Sequence, residues 1–134
     1  MLHFPTAKHW HSFFVLLLSG LLFVAPVYAS PNVEDSATIE YLIEYVSDSD
    51  MLFVRNFGKH EAPKAASHIR KKYDHFLDEI DSPEKFIELC ASKSLMTGKE
   101  YRVIDPDGNT IKTRDWLLAA LDRYRSGAKQ ASNP

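Results

Sequence analysis

The chain has one cysteine, Cys90, so it cannot form an internal disulfide. Its stability has to come from a packed core, which a domain of about 100 residues supplies without covalent staples. A strong excess of positive charge is also missing. All 18 acidic residues follow residue 29, with all but one of the 16 basic ones, so that segment carries a formal charge of −3 (15 basic against 18 acidic). Near balance of this kind argues against a general nucleic-acid or anionic-membrane binder. Beyond residue 29 no apolar run approaches the roughly 20 residues that a membrane-crossing helix needs, so no membrane span is expected once the leader is removed.

The one long apolar run lies at the start. "FFVLLLSGLLFV", residues 13–24, carries no charge, follows Lys8, and precedes "VYA" at 27–29. A basic n-region, a short apolar h-region and small residues before a cut form the pattern of a secretory signal peptide. Residues 1–29 therefore read as a leader cleaved after Ala29, and the protein as periplasmic or secreted. The residue directly after the cut is Ser30 and not cysteine, so no lipid attachment point is expected. Residues 30–125 are expected to form a single domain and 126–134, "SGAKQASNP", a flexible tail, since no apolar stripe runs through them.

Within the domain the apolar periods alternate between helix and strand. Ile39, Leu42, Ile43 and Val46 fall at helical spacing. "MLFVRN" (51–56) reads as a short strand, with Gly58 allowing a tight turn after it. From Pro63, apolar positions through Ile69, Tyr73 and Ile80 predict a helix of about five turns. "DSPEKF" (81–86) is a helix restart with Ser82 as N-cap and Pro83 at the first position, for a helix that carries Phe86, Ile87 and Cys90 inward and ends before Gly98. "YRVIDPDGNTIK" (101–112) is a β-hairpin, and Thr113 is expected to cap a last helix with Leu117, Leu118 and Leu121 inward. The sum is an α+β domain: about four amphipathic helices, a short strand/turn unit, and a β-hairpin before the last helix. A β segment, a glycine and a helix recur about 50 residues apart, at Gly58–Pro63 and again at Gly108–Thr113, as one packing unit used twice.

Several residues carry a resemblance. Arg55, Asn56, Gly58, His68, Ile69, Arg70, Lys72, Ala91, Ser92, Ser94, Thr97, Gly98 and Tyr101 match the Arg-Asn-Gly turn, the His-Leu-Arg-x-Lys core and the Ala-Ser-x-Ser…Ser-Gly-x-x-Tyr segment of the YfeK-like family. The chain resembles that family of small exported bacterial proteins, a domain of unknown function, over about residues 35–125. Phe57 is inserted in the turn and Thr97 stands for a serine. The resemblance implies export and a small α+β domain, and brings no activity with it.

The chemistry-bearing residues exclude more than they assign. "SHIRKKYDHF" (67–76) places His68 and His75 on one side of a helix but about 10 Å apart, too far to share one zinc, so both read as solvated. Cys90, among Phe86, Ile87 and Leu89, reads as a buried thiol rather than a nucleophile. In "ASKSLMTG" (91–98) neither Gly-x-Ser-x-Gly nor Ser-x-x-Lys occurs, and the hydroxyls suit a helix terminus. Asp105, Asp107 and Asn109 lack the Gly and Glu of a calcium loop. No metal, cofactor or catalytic residue is expected. One polar set is a candidate site: Arg55, Asn56, His68, Lys72, Ser92 and Ser94, which would converge on an anionic ligand if their elements pack side by side. The same groups can instead stitch the turn to the helices. The sequence thus points to a non-enzymatic module binding an envelope protein or a small anionic ligand. An envelope-directed enzyme assembled from distant residues, or an inhibitor or immunity protein, is the alternative.

Overall fold

Two hairpins, each running directly into a helix, meet edge to edge in one antiparallel sheet of order β2-β1-β3-β4. The structure is a computed structural model and describes Leu2 and residues 30–131. The expected leader and its cleavage site lie outside the described residues. Among the described residues no helix is long and apolar enough to cross a membrane.

Helix α1 spans Val33–Ser47. The Asn32 side chain caps it by accepting from the Asp35 N–H at 2.8 Å, and Glu34 and Asp35 place negative charge at the positive end of its dipole. Its apolar face, Ile39, Leu42, Ile43 and Val46, is buried. Strands β1 (Leu52–Arg55) and β2 (Gly58–Glu61) form the first hairpin. The strand/turn unit is therefore a full hairpin, and its turn residues are Asn56 and Phe57. Asn56 takes the positive φ of 55°, which asparagine tolerates better than most side chains. Gly58 begins β2 instead; a Cβ there would stand 3.3 Å from Nε2 of His60, so the missing side chain makes room for that ring.

Helix α2 is Ala62–His75, with Pro63 in its first turn. It is shorter than the period through Ile80 implied: a 3₁₀ turn, Leu77–Glu79, follows, with Leu77 exposed and Ile80 fully buried. Ser82 caps α3 (Pro83–Phe86), its Oγ accepting from the Lys85 N–H at 3.3 Å. The helix then widens into a π-turn, Ile87–Ala91, and ends before Gly98, as expected. Strands β3 (Arg102–Ile104) and β4 (Thr110–Lys112) form the second hairpin, closed by Asp105, which accepts from the Asn109 and Gly108 N–H groups. Helix α4, Thr113–Ala131, begins without a break and continues into the stretch expected to be a tail; residues 132–134 lie outside the described residues.

The fold is α+β. Pairing of β1 with β3 joins the two hairpin–helix units at the middle of the sheet. Phe53 and Val103 meet there and face Leu117 and Leu121 of α4, Phe86, Ile87 and Cys90 of the third helical segment, and the buried face of α1. The edges of the core are tied by ion pairs, Arg70 with Glu40 and Arg125 with Glu84.

Candidate functional site

Strand pleating decides which side chains share the inner face of the sheet. His60, Phe53, Val103 and Ile111 lie directly opposite one another across the four strands. Side chains two residues apart on a strand point the same way, so Arg55 follows Phe53 and Tyr101 precedes Val103 on that face. Thr113 lies two residues beyond Ile111. Its N–H donates to the Tyr101 carbonyl at 3.0 Å, extending the β3–β4 ladder by one more pair.

Helix α2 lies over this end of the sheet and encloses a cavity of about 180 Å³. Burial divides its wall into a floor and a rim. Phe53, Ile69, Tyr101 and Thr113 are buried and form the floor. Arg55 and His60 from the first hairpin, with Lys64, Ser67 and Lys71 from α2, form the exposed or half-exposed rim. Among the described residues no carboxylate lines the cavity. Arg55, Lys64 and Lys71 form no ion pair among the described residues, whereas the other arginines are matched to Glu40, Glu84, Glu100 and Asp115, or in one case to the Tyr45 hydroxyl.

His68 is not on the wet side of α2. Its ring meets Tyr101 edge-on at 6.2 Å, and its Nε2 is buried without a hydrogen-bond partner among the described residues. Loss of hydration and the nearby positive charges of Arg55 and Lys72 depress its pKa to about 4, so the imidazole is neutral near pH 7. Desolvation, then Arg55 and Lys64, lowers His60 in the same way. Burial raises the Tyr101 phenol, with Arg55 and the Ser94 hydroxyl pulling the other way. His75 is exposed, as expected of a solvated face.

The second buried polar atom without a protein partner is Thr113 Oγ1, in a residue only 1% exposed. Thr113 was expected as the N-cap of α4. The helix instead begins at Thr113 itself, a residue of the cavity wall, and its hydroxyl bonds to no backbone N–H among the described residues.

The six residues singled out from the sequence divide into two groups. Arg55 and His68 line the cavity. The other four are tied into the fold: Asn56 Oδ1 accepts from the Thr97 hydroxyl at 2.8 Å, and Lys72 Nζ donates to the Lys93 carbonyl at 3.2 Å. Ser92 Oγ donates to the Ile87 carbonyl at 2.7 Å, and Ser94 Oγ accepts from the Thr97 N–H at 3.3 Å. Lys72 is buried, its amine also 5.4 Å from the Tyr101 ring. Sequence reasoning missed His60, Lys64, Lys71, Tyr101 and Thr113 as wall residues. The available signal was the two-residue alternation Phe53–Arg55 and Tyr101–Val103, which becomes informative only when β1 and β3 are known to pair.

Elsewhere, Phe57 is 87% exposed at the first hairpin tip, with Lys99 Nζ 3.5 Å from its ring centre and Met96 exposed in the neighbouring turn. Among the described residues no group of three histidine, cysteine or acidic side chains is placed to hold a metal ion.

The molecule is thus a small α+β domain with a cation-rimmed cavity between one helix and the sheet. It belongs to the family described as "Family of unknown function (DUF5329)", whose pattern matches residues 33–125. It is similar to the Salmonella typhimurium protein named "Uncharacterized protein YfeK", with 35% identity over 88 residues, 65% of this chain and 73% of that one. No solved structure matches the chain.

Proposed function

We propose that this protein is an exported, non-enzymatic module that binds a small anionic organic molecule in the cavity between α2 and the sheet. The supporting observation is the cavity wall: Arg55, Lys64 and Lys71 line it, and among the described residues they have no ion-pair partner and no carboxylate shares the wall with them. A guanidinium offers a planar pair of donors to a carboxylate or phosphate, and the flanking ammonium groups add to the local field. Phe53 and Ile69 beneath this rim suit an apolar body rather than a bare inorganic ion.

The histidine chemistry favours binding over catalysis. A general base works with a pKa near the operating pH and with a group to orient its ring. Desolvation, with Arg55 and Lys72 nearby, holds the His68 pKa down at about 4, and among the described residues no carboxylate lines the cavity beside it. Export rests on the leader pattern of residues 1–29.

A charge-matched pair of probes tests the reading. Benzoate at saturating concentration should raise the thermal midpoint, because a ligand that binds only the folded state stabilises it. Benzamide, of the same shape without the charge, should not. Equal responses to the two probes would remove the anion reading.

A second reading, docking of an envelope protein, is supported by exposed Phe57 and Met96. The Thr97–Asn56 bond holds the two loops together. Phe57→Ser should then abolish capture of a partner from envelope extract and leave benzoate binding unchanged; unchanged capture would rule the tip out.

A further inference from the structure

We infer that the cavity selects a monocarboxylate with a planar apolar body and a hydroxyl at the end remote from the carboxylate. This inference rests on the cavity being the anion site proposed above, and names the class of ligand it takes.

The starting observation is the pair of unsatisfied atoms, Thr113 Oγ1 and His68 Nε2. Buried polar groups in folded proteins are almost always hydrogen-bonded, and each exception requires an explanation. These two are the unsatisfied buried side-chain atoms found among the described residues, and both residues line the same cavity. A threonine 1% exposed, with nothing bonded to its hydroxyl, gains nothing for the fold over valine. Its hydroxyl is explained if its partner comes from outside the chain.

The chemistry of the two atoms narrows that partner. His68 is neutral, so its Nε2 accepts a hydrogen bond when the ring proton sits on Nδ1, while the Thr113 hydroxyl can donate. A ligand hydroxyl is the smallest group that donates to one and accepts from the other. A second carboxylate would fit poorly at this depth, because the floor offers no positive charge to offset its lost hydration.

Sheet geometry sets the length. Arg55 ends β1 and Thr113 follows β4, two strand spacings apart, or about 10 Å between backbones. Side chains from both ends shorten the gap to roughly the length of one substituted ring. The volume agrees. A void of about 150 Å³ admits benzene, so about 180 Å³ accommodates a ring with one small substituent, the carboxylate lying out at the rim. Phe53, Ala65 and Ile69 supply an apolar wall along this path.

The test compares 4-hydroxybenzoate, benzoate and phenol on the folded domain by calorimetry and amide shifts. The expected order is 4-hydroxybenzoate tighter than benzoate by about tenfold, a typical hydrogen-bond increment, with phenol weakest. In Thr113→Val the hydroxyl advantage should vanish while benzoate still binds, and the ligand-free midpoint should rise because an unpartnered hydroxyl is gone. Thr113→Ser should retain the advantage. Arg55→Gln should weaken both carboxylates by a similar factor. Equal affinity of benzoate and 4-hydroxybenzoate for the unaltered protein overturns this inference and leaves the anion reading standing. Failure of both carboxylates to bind overturns both. The probe comparison needs no variant, so a misfolded Thr113→Val does not remove the test.

Discussion

The His68 imidazole stands edge-on to the Tyr101 ring, with centroids 6.2 Å apart and planes at 71°. This contact joins helix α2 to the residue that leads into β3, and both residues line the cavity. It also makes the helix–sheet junction sensitive to acid. The folded-state pKa of His68, about 4, lies below the 6.5 of an unconstrained imidazole. The unfolded chain therefore takes up the proton first as pH falls. The contribution of His68 to stability is complete above about pH 6.5 and is lost between there and about pH 4. Its full size is at most about 3 kcal/mol, and less after solvent screening of a half-buried ring. His68→Gln should flatten that part of the curve in urea unfolding from pH 7 to pH 4. Parallel curves for the two proteins would show that His68 is not the group responsible.

Cys90 lies in the π-turn, fully buried, with its thiol pushed up to about 12 by desolvation. The thiolate is the reactive form. A thiol reagent at pH 8 should therefore label the native protein very slowly and the denatured protein at once. Rapid native labelling, or a covalent dimer without reductant, would contradict the packing described here.

Asn56 serves the first hairpin twice, through its positive φ and through the bond from Thr97. Alanine loses both, and should destabilise by about 1–3 kcal/mol. Glycine loses only the hydrogen bond and keeps the backbone conformation, so Asn56→Gly should fall between the two. Chemical denaturation of the three proteins checks the order, and Asn56→Ala equal to the parent would deny the turn any strain.

The leader pattern predicts that protein recovered from the envelope begins at Ser30. Intact mass measures this directly. A chain that still carries residues 1–29 would place the protein on a membrane anchor instead.

The helices were legible where burial follows a simple period. Ile39, Leu42, Ile43 and Val46 announce α1, and Ser82 with Pro83 announces α3. Strand β2 was not legible, because "GKHE" has neither β-branched nor apolar residues and is held by its partner Leu52–Arg55. The end of α2 was missed for a related reason: Ile80 is buried by way of a 3₁₀ turn, which continues the apolar pattern without continuing the helix. Of the residues that line the cavity, Arg55 and His68 were singled out in the sequence by their chemistry. Tyr101 and Thr113 were not, because their role depends on β1 pairing with β3 and on a ladder that continues to the first residue of α4. His68 was read as solvated because a helical wheel records only the angle to the main stripe. A flank of α2 that faces the sheet edge looks the same on the wheel as one that faces water.

The central claim is that an organic anion enters between α2 and the sheet under the control of Arg55. Nitrogen-15 amide spectra recorded during a benzoate titration test it most directly. The predicted result is a saturable set of shifts centred on Arg55, His60, Lys64, His68, Tyr101 and Thr113, greatly reduced in Arg55→Gln, with residues of the far end of α4 unmoved. Shifts that are absent, that scatter over exposed lysines without saturating, or that persist unchanged in Arg55→Gln would contradict the account.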